Sequence, residues 1–191
     1  MRPRDLLCSV LLLTSAFAAR EASAQPAIEI RTAFGASNYL HGDLTFIAPT
    51  VLVAARMGRG PLAVEPEFAV AWHEETQVFA ATTRTITSDR FQSVGVNLIG
   101  RSAGRVSAYV GGGVGLYTEY STYRLDAPSS GYEQSRTRGP RLGAQAVAGV
   151  DFTVAPRLKA FGQFRYEVRS FEDPGGGSVV QGLAGVSIVL R

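Results

Sequence analysis

From about residue 27 to residue 190 the chain trades apolar for polar residues with a period of two, and no segment gives a helical period of 3.6. Successive side chains of a β-strand point to opposite faces, so a chain that alternates throughout is committed to sheet with two chemically different faces. Strands are predicted at 27–39, 45–57, 62–73, 87–101, 105–120, 140–155, 158–171 and 178–190. One face reads Ile28, Ile30, Phe34, Val51, Val64, Phe68, Val94, Val96, Val110, Val114, Phe164, Val186 and Ile188, with no charge in mid-strand. The other carries Glu29, Arg31, Arg56, Glu65, Glu67, Asp151, Arg165, Glu167 and Arg169.

The number of strands is even, and the connections differ in length. Residues 57–61, 101–105 and 154–158 are tight turns, 40–44 is short, and the polar stretches 74–86, 121–139 and 172–177 read as longer loops. Short turns on one side and longer loops on the other mark a membrane barrel, whose exterior is apolar and whose lumen is polar. The reverse arrangement, a water-soluble barrel with an apolar lumen, leaves a continuous apolar exterior uncovered. The chain is therefore expected to be all-β: an eight-stranded antiparallel up-and-down transmembrane β-barrel.

The N-terminus agrees with export. MRPRD is a basic leader, LLCSVLLLTSAFAA an apolar stretch, and Ala22-Ser23-Ala24 a small-residue cleavage site. Residues 1–24 are expected to be a cleaved signal peptide and 25–191 the barrel domain. Cys8 is the only cysteine and lies in the leader, so the mature chain has no thiol for disulfides, catalysis or zinc. The whole chain has 19 basic and 16 acidic residues; cleavage leaves 16 and 14, too balanced for a nucleic-acid partner.

Three segments add a family likeness. AVEPEFAVAW (63–72), SAYVGGGVGLY (107–117) and LGAQAVAGVDFTVAPRLKAFGQFRYEVRS (142–170) resemble the OmpA-like/opacity-type outer-membrane β-barrel domain family. The resemblance implies a Gram-negative envelope protein: a structural or surface-interaction barrel, or a small porin. It implies contact with outer-membrane lipid, lipopolysaccharide and, during insertion, the assembly machinery. A monomer with no cofactor is expected, and no peptidoglycan-binding domain after the eighth strand. The chain departs from the pattern at its end, where Leu190-Arg191 stands in place of a terminal aromatic.

Eight strands close into a cylinder just wide enough for its own side chains. The lumen is thus expected to be filled by an ion-pair network of the nine charged residues above, with Gly111, Gly113 and Gly115 making room for the long Arg and Glu groups. Glu65 and Glu67, roughly 6.5–7 Å apart along the strand, fit the carboxylate spacing of inverting glycosidases, yet a filled lumen offers no sugar cleft. His41 and His73 lack the ligand set of a zinc site. They also lack the His-x-Ser spacing of outer-membrane lipid A deacylases, which are alike in topology only. G-G-G-V-G runs on as strand, not into the helix that a phosphate loop needs. No catalytic, cofactor or metal residue is assigned. The expected role is a structural or surface barrel with a plugged lumen; the alternatives are a narrow channel for small solutes and, behind it, a lipid-modifying enzyme.

Loop 121–139 is the candidate surface-binding segment, through Tyr123, Arg124, Tyr132, Arg136 and Arg138, a mixture suited to adaptable contacts and to phosphate groups. Trp72, Tyr117, Tyr120 and Tyr166 are expected in an interfacial aromatic belt. Pro66 removes a ladder donor from strand three, and Pro49 is expected near it on the neighbouring strand, so pairing should weaken there.

Overall fold

The computed structural model describes residues 27–41, 44–80, 83–127, 131–169 and 177–190; the expected signal segment, 1–24, and most of the link at 172–177 lie outside them. Eight antiparallel strands run β1 (Ala27–His41), β2 (Leu44–Arg59), β3 (Leu62–Ala80), β4 (Thr83–Arg101), β5 (Val106–Asp126), β6 (Tyr132–Ala155), β7 (Leu158–Val168) and β8 (Ser178–Leu190). Each pairs with its neighbours in sequence, and β1 pairs with β8, so the sheet closes into an up-and-down barrel. Closure leaves no edge in the wall and pairs its backbone groups between strands.

The alternation sorts the faces. Arg31, Arg56, Glu65, Arg165 and Glu167 are fully buried in the lumen together with Leu52, Ile99 and Val147. Phe34, Ile47, Val94, Leu98, Val110 and Phe164 project from the outer face and are exposed. Charged and polar side chains lie in the interior among a few apolar ones, and apolar side chains cover the wall.

At the end with the short turns the strands finish together. At the other end they do not. The β2–β3 ladder stops at Thr50↔Ala71 although β3 runs on to Ala80, and the β6–β7 ladder begins only at Ala144↔Val168. The β3–β4 and β5–β6 ladders continue to Ala80↔Thr83 and Leu125↔Tyr132. The far parts of β3 to β6 thus form a four-stranded sheet that rises above the rest; Trp72–Ala80 alone extends roughly 30 Å at the usual rise per residue. Two expected loops, 74–86 and 121–139, are therefore mostly strand. Apart from Val78, Phe79 and a few others their residues are polar on both faces, which erases the alternation by which strands are read, and residues 131–142 are exposed throughout. The described part of the seventh strand ends at Val168; residues 170–171 of the expected strand lie outside the described residues.

Pairing does fail beside Pro66. The β2–β3 ladder holds at Ala54↔Glu67 and Met57↔Val64 but skips the two rungs between them. Pro66 faces Ala55 across this gap, whereas Pro49 lies opposite Ala36 on β1, so the two prolines are not neighbours. Pro49 instead stands one residue beyond the rung where β2 and β3 part company, and a missing N–H suits a site where a ladder ends.

A bulge in β6 sets the geometry of the far end. Tyr117 pairs with Arg141 and Glu119 with Arg138, so Thr118 faces two residues, Gly139 and Pro140. Gly139 takes φ of 105°, open to glycine at little cost. The extra residue reverses which side chains of β6 face inward.

Candidate functional site

The lumen holds two charge clusters. In the cluster nearer the termini, Asp151 receives Arg31 Nη1 on Oδ1 and Arg56 Nη1 on Oδ2, each at 3.0 Å. Arg56 Nε donates to Glu65 Oε2 at 2.6 Å, and Arg31 Nε lies 3.5 Å from the same oxygen. Two guanidinium forks thus share two carboxylates. Arg31 also donates to the Tyr109 hydroxyl at 2.9 Å and lies 3.8 Å above the Phe161 ring, while Arg56 covers Tyr109 at 4.2 Å. Glu29 closes the end with Arg101, at 3.0 Å, and Lys159.

The second cluster lies farther along. Arg165 Nη2 bonds to Glu67 Oε1, donates to Gln145 Oε1 at 2.8 Å and lies 3.5 Å from Glu167. Glu67 also receives Asn97 Nδ2 at 2.9 Å and Gln145 Nε2 at 2.8 Å. Arg169 reaches back to Glu167 through Nη2 at 2.9 Å. Each carboxylate in both clusters has a cation within 4 Å, which is the condition for keeping a buried charge ionised. The structure places all nine charged residues singled out in the sequence inside the barrel, but as two groups: Glu65 belongs with Arg31 and Arg56, Glu67 with Arg165.

Above the second cluster a cavity of about 770 Å³ opens where the short wall of β7, β8 and β1 meets the tall sheet. Tyr39, Phe46, Phe91 and Tyr117 form its aromatic floor. Phe46 stacks on Tyr39, with centroids 4.7 Å apart, and on His73 at 4.4 Å, so His73 packs against a ring beside the cup. Among the described residues, Arg136, Arg138, Arg141 and Arg169 line the cup with two acids, Asp89 and Glu119. Of the five candidate surface residues, Tyr123, Arg136 and Arg138 line this cavity. Arg124 and Tyr132 do not: Arg124 bonds to Asp126 at 2.8 Å, and the Tyr132 hydroxyl to Gln134 at 2.9 Å. Hydrogen bonds from Arg124 and Arg84 hold the Asp126 carboxyl below its ordinary range at this tip.

No family model matches the chain, and no curated protein sequence does. Solved structures do match. Neisserial surface protein A aligns with a TM-score of 0.61 at 14% identity, over 88% of this chain and 99% of that one. Ail, the attachment invasion locus protein of Yersinia pestis, solved with the heparin analogue sucrose octasulfate, gives 0.62 at 14% identity, over 87% and 100%. A major outer membrane protein of Thermus thermophilus gives 0.57 at 10%, over 87% and 100%.

The fold is that of the small eight-stranded outer-membrane barrels. It is consistent with the OmpA-like and opacity-type resemblance of the sequence. At these identities the likeness speaks for architecture, and the side chains must speak for the site.

Several inward residues escaped the sequence reading. Tyr117, expected in the aromatic belt, is buried in the lumen and donates to Gln145 Oε1 at 3.1 Å. Its odd number on a strand whose even residues face out was the signal. Tyr166 is exposed on the wall and Trp72 one residue beyond the last β2–β3 rung, whereas Tyr120 packs under Arg90, 4.8 Å from its ring. Arg101 and Lys159 sit near strand ends but keep the inward parity of Asn97 and of Gln163, which was the signal. The small residues of β5 make room, though for other groups than expected. A Cβ on Gly113 would lie 2.0 Å from the Val96 carbonyl oxygen and 2.5 Å from Asn97 Oδ1, and one on Gly111 would meet Ile99, not an Arg or a Glu. Gly113→Val should therefore destabilise the barrel by at least about 1–3 kcal/mol, the usual range for overpacking. Urea unfolding in detergent, against Gly182→Ala where an added Cβ meets nothing within 4 Å, checks this.

Proposed function

We propose that this protein is a monomeric, non-enzymatic surface barrel of a Gram-negative outer membrane, exported by a signal peptide at residues 1–24, with a lumen closed to solutes. The inverted polarity carries the reading. Arginines and carboxylates fill the interior while Phe34, Leu98, Val110 and Phe164 face outward, an exterior that lipid solvates and water does not. Outer-leaflet lipid and lipopolysaccharide are the partners of the wall, and the assembly machinery is the partner of insertion. The tall polar sheet of β3–β6 then stands outside the membrane and presents its residues to the surroundings, and the role is structural and interactive.

The lumen is the part of this reading that can fail independently of the fold. Leu52, Ile99, Val147 and Phe161 are buried in the lumen with both clusters, and paired buried charges resist separation. Purified protein in a planar lipid bilayer should give no steady conductance steps. Reproducible unitary currents would refute the closed lumen and favour the narrow channel. Unboiled protein should also migrate differently from boiled protein on SDS gels, and free solubility without detergent would remove the membrane reading altogether.

A further inference from the structure

The cup at the far end is more than a vestibule. Among the described residues four arginines line it against two carboxylates, and one of them, Arg141, is already engaged. Arg169 at its base is held on all sides but one. Its Nε and Nη2 bond to Glu167 at 3.1 and 2.9 Å, Nη2 also reaches the Tyr39 hydroxyl at 3.2 Å, and the rings of Tyr39, Tyr117 and Phe91 lie 4.7, 5.3 and 5.5 Å from its guanidinium carbon. Nη1 makes no bond among the described residues, while the side chain lines the cavity and is 15% exposed. A guanidinium already fixed by a carboxylate and three rings surrenders little entropy when it receives an anion.

The wall opposite is built by the β6 bulge. Arg141 lies on one side of Gly139 and Pro140, Arg136 and Arg138 on the other, and the extra residue brings all three to one face. Arg138 keeps a loose pair with Glu119, at 3.8 Å. Guanidinium forks fit tetrahedral oxyanions in two-point fashion. A cavity of about 770 Å³ is far larger than one phosphate and falls in the range of small-ligand sites. Of the lining rings Tyr123 is exposed and offers a face to the apolar side of a sugar, whereas Phe91 and Tyr117 are buried beside Arg169.

We propose that the cup binds a small saccharide bearing two or more phosphate or sulfate groups. The anions meet Arg136, Arg138 and Arg169, and a sugar ring rests against Tyr123. The inference rests on the reading above that this end faces outward; it does not depend on the lumen being closed. One chemistry has two sources, a phosphorylated sugar of neighbouring lipopolysaccharide or a sulfated sugar arriving from outside.

Calorimetric titration of the intact protein in detergent micelles tests it, using bisphosphorylated glucosamine disaccharide, persulfated trehalose, plain trehalose and inorganic phosphate. Either charged disaccharide, or both, should bind with an affinity that falls as salt rises. Binding by the phosphorylated probe alone assigns the membrane source, and by the sulfated probe alone the external one. Arg136→Ala with Arg138→Ala should weaken binding by roughly tenfold or more, as loss of charged hydrogen bonds does. Arg84→Ala, whose side chain pairs with Asp126 away from the cup, should leave it unchanged. The heat-shifted gel band certifies that each variant is folded. Absence of binding by both charged sugars, equal binding of plain trehalose, or indifference to the arginine pair overturns the proposal. Phosphate binding as tightly as the disaccharides removes the sugar from it. A conducting lumen with intact sugar binding would overturn the closed barrel alone.

Discussion

Arg165→Met should destabilise the barrel by about 3–5 kcal/mol, the range for breaking a buried ion pair from one side. Arg165 is fully buried, bonds to Glu67 and Gln145, and lies 3.5 Å from Glu167. Methionine fills much of its volume but leaves Glu67 charged in the lumen with no cation among its bonded neighbours. Glu167 keeps Arg169, at 2.9 Å. Adding Glu67→Gln should therefore restore most of the loss, because it removes the stranded charge and keeps an acceptor for Asn97, bonded there at 2.9 Å. Urea unfolding in lipid vesicles, followed through the single tryptophan, Trp72, measures both variants. A single mutant within about 0.5 kcal/mol of the parent, the usual range for surface changes, would show that water reaches Glu67 and that the lumen is not dry there. A double mutant no better than the single one would show that the arginine acts by packing alone.

The second large effect separates lipid from water at the outer wall. Phe164→Arg, in mid-strand on the outer face of β7, should cost roughly 2–4 kcal/mol in a bilayer, where a charge meets hydrocarbon. Were that face bathed by water, the same change on an exposed side chain would stay within about 0.5 kcal/mol. Thr76→Arg supplies the contrast, since Thr76 is exposed on the tall part of β3 beyond the wall. It should be close to neutral in the same vesicles. Equal tolerance of both arginines would sink the membrane assignment of the wall, whatever the barrel resembles.

How much could be read beforehand differs along the chain. Within the wall, one face is buried and the other is not, so period two is imposed on every strand and a single parity assigns each side chain. Glu65 and Glu67 illustrate this: two acids flanking Pro66 look like a catalytic pair until their neighbours Val64 and Phe68 place them on the inner face. Beyond the wall both faces of the sheet are wet. His73 to Gln77 and Tyr132 to Arg138 then carry no alternation, and strand could not be told from loop.

Sequence by itself determined the class of fold, the number of strands and which face of the wall bears charge, because burial on one side of a pleated sheet writes its period into the residues. Tertiary structure decided what local pattern does not encode. Choice of partner is a matter of reach and register: Glu65 and Glu67 are two residues apart yet answer to different arginines, from β1 and β2 in one case and β7 in the other. The cup was decided there too. One extra residue at Gly139 and Pro140 reverses the parity of β6, and arginines that alternation alone would set on opposite faces share one cavity.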